Sequence, residues 1–140
     1  MNKVHRLFIV DDDNLFTHIT SLVVGDSDLV EEVKVYSNGK EVYDYLSVHQ
    51  DTPEKLPDVI LLDLSMPIMD GWGFLDKFMK LKLNAAKEIE IYICSSSISP
   101  EEIEKARSIS VVSDYIIKPL TSKKLIKMIE EVRGKEDPNQ

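Results

Sequence analysis

Cysteine is almost missing from this chain: Cys94 stands alone among 140 residues. A single thiol closes no disulfide within the chain, so a stapled secreted scaffold is excluded. Its place inside an apolar run is that of a buried, inert thiol. The three histidines, His5, His18 and His49, lie far apart without ligand-like spacing, and read as surface or packing residues. Positive charge is also scarce, with 17 Lys+Arg against 25 Asp+Glu and a net charge of −8. A nucleic-acid footprint needs clustered positive charge, so no nucleic-acid partner is expected. No apolar run approaches the roughly 18 residues of a membrane span. The N-terminus has neither the apolar stretch nor the small-residue cleavage site of a signal peptide. A cytoplasmic protein without a membrane partner is the expectation. Internal repeats, low-complexity tracts and a linker to a second domain are absent from the pattern.

What is present is the composition of a soluble globular domain. Hydrophobic residues make up 43% and charged residues 30%, enough apolar material to build a core without staples. Short apolar runs alternate with amphipathic stretches. Leu7–Val10 is a strand-length run ended by Asp11-Asp12-Asp13. Leu15, Ile19, Leu22 and Val23 recur at helical spacing and predict a helix packed through that stripe. Val33–Tyr36 reads as a second strand, and Val42, Tyr45 and Leu46 suit a second helix. Ser47–Pro57 is polar, holds two prolines and reads as a long surface loop. Val59–Leu62 is the most apolar run of its length and ends at Asp63. A loop from Ser65 to Gly71 leads to a helix carrying Phe74, Leu75, Phe78 and Met79. Trp72 is expected to cap that helix against the edge of the core.

Glu90–Cys94 predicts a fourth strand, followed by Ser95-Ser96-Ser97. Ser99-Pro100-Glu101-Glu102 has the form of a capping box with Pro at the first helical position. Tyr115–Ile117 is a short fifth strand ending at Lys118-Pro119, and Leu125, Ile129 and Val132 mark the last helix. Residues 1–133 are expected to form one domain and 134–140 a flexible tail. Five strand-then-helix units in alternation predict a parallel sheet with helices on both faces.

In an open α/β sheet, ligands bind outside the carboxyl ends of the strands. The residues at those ends are Asp11 and Asp12, Asp63, Ser95 and Lys118. Clustered carboxylates repel one another, so they raise a pKa or hold a cation. Mg²⁺ takes one or two carboxylates and keeps positions for water or phosphate oxygens. A carboxylate also attacks phosphorus, and an adjacent lysine and hydroxyl neutralise and orient the phosphoryl oxygens. The set suits phosphoryl transfer to an aspartate. Each part alone is ordinary turn or cap chemistry; their joint placement carries the reading. Asp11-x-Asp13 also fits the opening of a haloacid-dehalogenase-type phosphatase. That enzyme needs a glycine-containing turn after the pair and a late acidic pair, whereas Asn14-Leu15 follows here and the late region offers only Asp114. A binding module of the same layout that is never phosphorylated is a third class, and the presence of the whole set of carboxylates and the lysine argues against it.

Val10-Asp11-Asp12, the run Leu61-Leu62-Asp63-Leu64-Ser65-Met66-Pro67-Ile68-Met69-Asp70-Gly71, the serine triplet from Ser95, and Tyr115-Ile116-Ile117-Lys118-Pro119 resemble the receiver domain of two-component response regulators. The likeness runs in order through nearly the whole chain. It implies a flavodoxin-like (βα)5 fold with sheet order 2-1-3-4-5, and a phosphoacceptor at Asp63. It implies Mg²⁺ held by Asp11, Asp12, Asp63 and the backbone carbonyl of Ser65. Ser95 and Lys118 would contact phosphoryl oxygens, and Tyr115 would turn inward as Ser95 moves toward the phosphate. The bond before Pro119 is expected to be cis. Ser95 stands where threonine is more usual, which keeps the hydroxyl, and Asp13 adds an acid beside the metal pair. The implied partners are a sensor histidine kinase or a histidine phosphotransfer protein, and a downstream protein target met through the fourth helix, fifth strand and fifth helix. A switch of this kind turns over no external metabolite, so no enzyme is expected.

Overall fold

The apolar runs become strands because each is buried on both faces of one sheet. The computed structural model describes residues 4–81, 83 and 88–136. Its elements are β1 (Val4–Val10), α1 (Asn14–Ser27), β2 (Val30–Tyr36), α2 (Gly39–Val48), β3 (Val59–Leu62), α3 (Gly71–Met79), β4 (Glu90–Ser95), α4 (Pro100–Ser108), β5 (Val112–Ile117) and α5 (Ser122–Glu136). The five strands pair in parallel in the order β2-β1-β3-β4-β5, the flavodoxin-like arrangement expected above. Alternate residues of each strand feed two cores. Phe8, Val10, Ile60, Leu62, Ile91 and Ile93 pack beneath α2, α3 and α4 against Val42, Leu46, Phe74 and Ala106. Leu7, Ile9, Leu61, Tyr92 and Cys94 pack on the other face against Val24, Leu125, Met128 and Ile129 of α1 and α5. Each such side chain contributes roughly 1.5–3 kcal/mol by leaving water. A truncation such as Ile60→Ala is expected to cost roughly 2–5 kcal/mol.

The packed stripe of α1 differs from the expected one. Leu15, Ile19 and Leu22 face solvent, while Thr17, Thr20 and Val24 are buried and Phe16 and Val23 half-buried. Phe16, Thr20, Val23 and Val24 have the same helical spacing displaced by one residue, which turns the helix about 100°. Threonine counts as polar in a pattern, yet it buries its methyl group once its hydroxyl is satisfied. The Thr17 hydroxyl donates to the Asn14 carbonyl at 3.1 Å. On α3, Met79 is likewise exposed while Phe74, Leu75 and Phe78 pack.

β2 begins three residues before its apolar run, at Val30. Glu31 and Glu32 hide this start from a hydrophobicity pattern, but they lie on an edge strand opposite basic residues of β1. His5 Nδ1 meets Glu31 Oε2 at 2.7 Å, and the Arg6 guanidinium pairs with Glu32. β5 also begins early, at Val112, where Ser113 Oγ donates to Glu90 Oε1 at 2.7 Å. The predicted Ser47–Pro57 loop is more ordered than its composition implies. α2 continues to Val48, a 3₁₀ turn spans Pro53–Lys55, and Leu56 is fully buried. The Tyr45 hydroxyl donates to the Lys55 carbonyl at 2.8 Å and pins that turn. α5 runs on to Glu136; residues 137–140 of the expected tail lie outside the described residues. Asp13, Asn38, Asp70 and Ser99 cap the N-termini of α1, α2, α3 and α4.

Candidate functional site

Hydrogen bonds that extend the sheet just past the strands bring the polar residues together. The Asp11 N–H donates to Tyr36 O at 2.9 Å, Asp63 N–H to Val10 O at 2.9 Å, and Lys118 N–H to Ser95 O at 2.8 Å. Each of these three residues is thereby locked to the end of a neighbouring strand. The result is a cavity of about 500 Å³ lined by Asp11, Asp12, Asp63, Ser65, Ser95 and Lys118, with Trp72 and Glu102 on its wall.

Asp11 is the deepest acid. Its Oδ1 accepts the Asp13 N–H at 2.9 Å, and its Oδ2 lies 2.7 Å from Lys118 Nζ. Lys118 Nζ is also 3.6 Å from Asp63 Oδ1 and 4.2 Å above the Phe16 ring, and the Lys118–Pro119 bond is cis. Burial lowers the Lys118 pKa, but Asp11 and Asp63 outweigh it and the net shift is upward. Asp63 is 8% exposed. Its pKa is pushed up to about 6, first by burial and next by the charge of Asp11. Lys118 and a hydrogen bond from the Leu64 backbone oppose that rise.

One carboxylate oxygen from each of Asp11, Asp12 and Asp63 lies within 4.8 Å of the others. Such a set is self-repelling, and the charge of Asp11 adds to the burial that raises the Asp63 pKa. A small divalent cation with a preference for oxygen relieves the repulsion, so the donor set fits a hard metal ion. Asp13, expected as a further acid beside the pair, is committed to capping α1, where its carboxylate accepts the N–H groups of Leu15 and Phe16.

Ser95 is buried, and its Oγ accepts the Ser97 N–H at 3.1 Å. Tyr115 already points inward, buried, with its hydroxyl donating to the Ser97 carbonyl at 2.9 Å. Ser97 is therefore the piece of backbone that both side chains hold. The serine triplet was visible in the sequence, but its linking residue was not. Trp72 lines the cavity and stacks beneath Lys105 Nζ of α4 at 4.2 Å, which goes beyond the capping role expected for it. Gly71, expected only as the end of a loop and of the motif run, has a tertiary role as well: a Cβ there would lie 2.4 Å from the Asp63 carbonyl oxygen.

The sequence profile of the response regulator receiver domain matches residues 7–130. This chain belongs to that family. Among curated relatives of this receiver domain, the chemotaxis protein CheY of Treponema pallidum is 32% identical, over 79% of this chain and 80% of its own length. The probable methanogenesis regulatory protein FilR2 of Methanothrix harundinacea is 26% identical, over 91% of this chain and 80% of its own. The receiver spans only 52% of the rice two-component response regulator ORR1, which is 29% identical. In structure, a two component response regulator from Cytophaga hutchinsonii superposes with a TM-score of 0.85 at 24% identity, covering 94% of this chain and 98% of that one. Among the described residues no helix is long and apolar enough to cross a membrane.

Proposed function

We propose that this receiver domain takes a phosphoryl group from a phosphohistidine onto Asp63 and thereby switches a protein-interaction surface. The observation that carries the reading is the convergence of Asp63 with Asp11, Asp12 and Lys118 at the carboxyl ends of β1, β3 and β5. An Asp63 carboxylate oxygen forms the bond to phosphorus while the phosphorus–nitrogen bond of the phosphohistidine breaks, and the departing imidazole keeps the electron pair and takes up a proton. Lys118 pairs with a phosphoryl oxygen and Ser95 donates a hydrogen bond to another. Mg²⁺ would be held by Asp11, Asp12, Asp63 and the Ser65 carbonyl; when bound, it neutralises charge gathered between the carboxylates and the phosphoryl group.

The donor is a sensor histidine kinase or a histidine phosphotransfer protein. No external metabolite is turned over. The signal leaves as Ser95 moves toward the phosphoryl group and pulls on Ser97, to which Tyr115 is also bonded. The output surface is the face of α4, β5 and α5, where a groove of about 260 Å³ runs between Tyr115, Ile117, Lys124 and Met128. Its downstream target is another protein.

The test is intact-mass measurement after treatment with acetyl phosphate and Mg²⁺. The wild-type chain is expected to gain one phosphoryl group and Asp63→Asn none. Full labelling of the Asn variant removes Asp63 as the acceptor.

A further inference from the structure

Ile68 is a residue that folding by itself disfavours twice. Its backbone is left-handed, with φ 66°, a region that L-residues avoid and β-branched ones avoid most. Its side chain is 80% exposed, so it gains nothing from burial. The loop imposes the conformation: the Met69 N–H donates to Pro67 O at 2.7 Å, and the Gly39 N–H donates to Met69 O at 2.8 Å. Glycine or asparagine would hold the same turn without strain and without an apolar side chain in water.

Two more aliphatic residues share this setting. Leu15 is 68% exposed and Ile98 72%. With Ile68 they make three of the four most exposed large hydrophobic residues among those described. All three stand within two positions of a cavity-lining residue: Leu15 near Asp13, Ile68 near Met66 and Asp70, Ile98 beside Ser97.

We infer that Ile68, with Leu15 and Ile98, forms an apolar rim that seats the protein surface surrounding the donor's phosphohistidine. This rests on the phosphoacceptor reading of Asp63. Asp63 lies on the cavity floor and is almost fully buried, so a phosphorus atom carried by a protein reaches it only on an extended side chain, and that protein must then meet the rim. Asp12, Asp13, Asp70 and Glu102 line the cavity that the rim encloses, so the matching donor surface carries aliphatic contacts with basic groups close to the histidine. A small-molecule donor enters the cavity without touching the rim. The rim therefore separates protein donors from small ones.

The experiment compares two phosphoryl sources on wild type, Ile68→Asn, Leu15→Ser and Val48→Ser. Val48 is equally apolar and exposed but ends α2 away from the cavity. The protein source is the fastest donor to wild type in a panel of purified kinase domains phosphorylated on histidine; the small source is acetyl phosphate with Mg²⁺. Ile68→Asn is expected to slow transfer from the protein about tenfold, to leave acetyl phosphate labelling within about twofold, and to raise the melting temperature by a few degrees. Leu15→Ser should slow protein transfer too, and Val48→Ser should not. Undiminished transfer in Ile68→Asn and Leu15→Ser overturns the rim, as does equal slowing by Val48→Ser or a panel with no working donor. A wild-type chain that acetyl phosphate fails to label at Asp63 overturns instead the acceptor reading beneath it.

Discussion

Lys118 pairs more closely with Asp11 than with Asp63, at 2.7 Å against 3.6 Å. The ammonium thus compensates the deepest acid and leaves Asp63 as the carboxylate whose charge is hardest to sustain. Lys118→Ala leaves Asp11 and Asp63 facing each other in a buried site. Its stability should fall by about 3 kcal/mol in metal-free buffer, and Mg²⁺ should restore more of it than Mg²⁺ adds to wild type. Urea unfolding with and without Mg²⁺ measures both; equal stabilisation of the two proteins would contradict the pairing.

The Asp63 carboxyl is raised from 3.8 to about 6. Between those values the folded state holds a proton that the unfolded state has released, so stability falls as pH rises through the window. Below it the group imposes no penalty, and above it the full penalty is present. Without metal, Asp63→Asn should therefore be more stable than wild type near pH ~7, by up to roughly 3 kcal/mol. The difference should shrink toward pH ~4. Chemical denaturation across that range tests the sign; a gap that widens on acidification would be the wrong one.

Asp12 is the exposed member of the carboxylate cluster, and it shares a cavity with Trp72. Mg²⁺ binding should change Trp72 fluorescence, and Asp12→Ala should weaken the apparent affinity about tenfold or more. An unchanged titration would place the ion elsewhere.

Glycines should divide by what a Cβ meets. At Gly71 it would strike the Asp63 carbonyl oxygen at 2.4 Å and the Leu64 Cα at 2.9 Å, both backbone atoms. Gly71→Ala should cost about 3 kcal/mol or more and disturb the amide of Asp63. At Gly25, inside α1, a Cβ meets nothing within 4 Å. Gly25→Ala should stabilise by about 0.5–1 kcal/mol. Urea midpoints compare the two directly.

Ser95 and Tyr115 reach each other through Ser97, whose N–H and C=O they bond. Ser95→Ala should still accept phosphate, yet show a smaller chemical-shift change at Tyr115 when beryllofluoride and Mg²⁺ are added. A full wild-type shift in that variant would break the proposed link.

Much of this molecule is written in local pattern. Continuous apolar runs such as Val59–Leu62 name the central strands because such strands are buried on both faces and need no polar alternation. The acids at Asp11, Asp12 and Asp63, with Ser95 and Lys118, were legible as a site because a parallel sheet sends every strand's carboxyl end to one edge. The Ser99-Pro100 cap was equally plain, since capping is chemistry between near neighbours.

Other features depend on partners distant in the chain. The inward face of α1 is chosen by what α5 and the sheet present, which is why Thr20 is buried and Leu22 is not. β2 starts at Val30 and runs through the charged Glu31 and Glu32 because His5 and Arg6 stand across from them. The left-handed backbone of Ile68 follows from a loop tied to Gly39, and the closeness of Gly71 to Asp63 from a turn that folds back on β3. Sequence by itself determined the order of elements and which polar groups stand at the carboxyl ends of the strands, since periodicity and residue type are local properties. Tertiary structure alone decided which acid Lys118 neutralises and which apolar residues remain in water, because distance and exposure exist only once the chain has closed on itself.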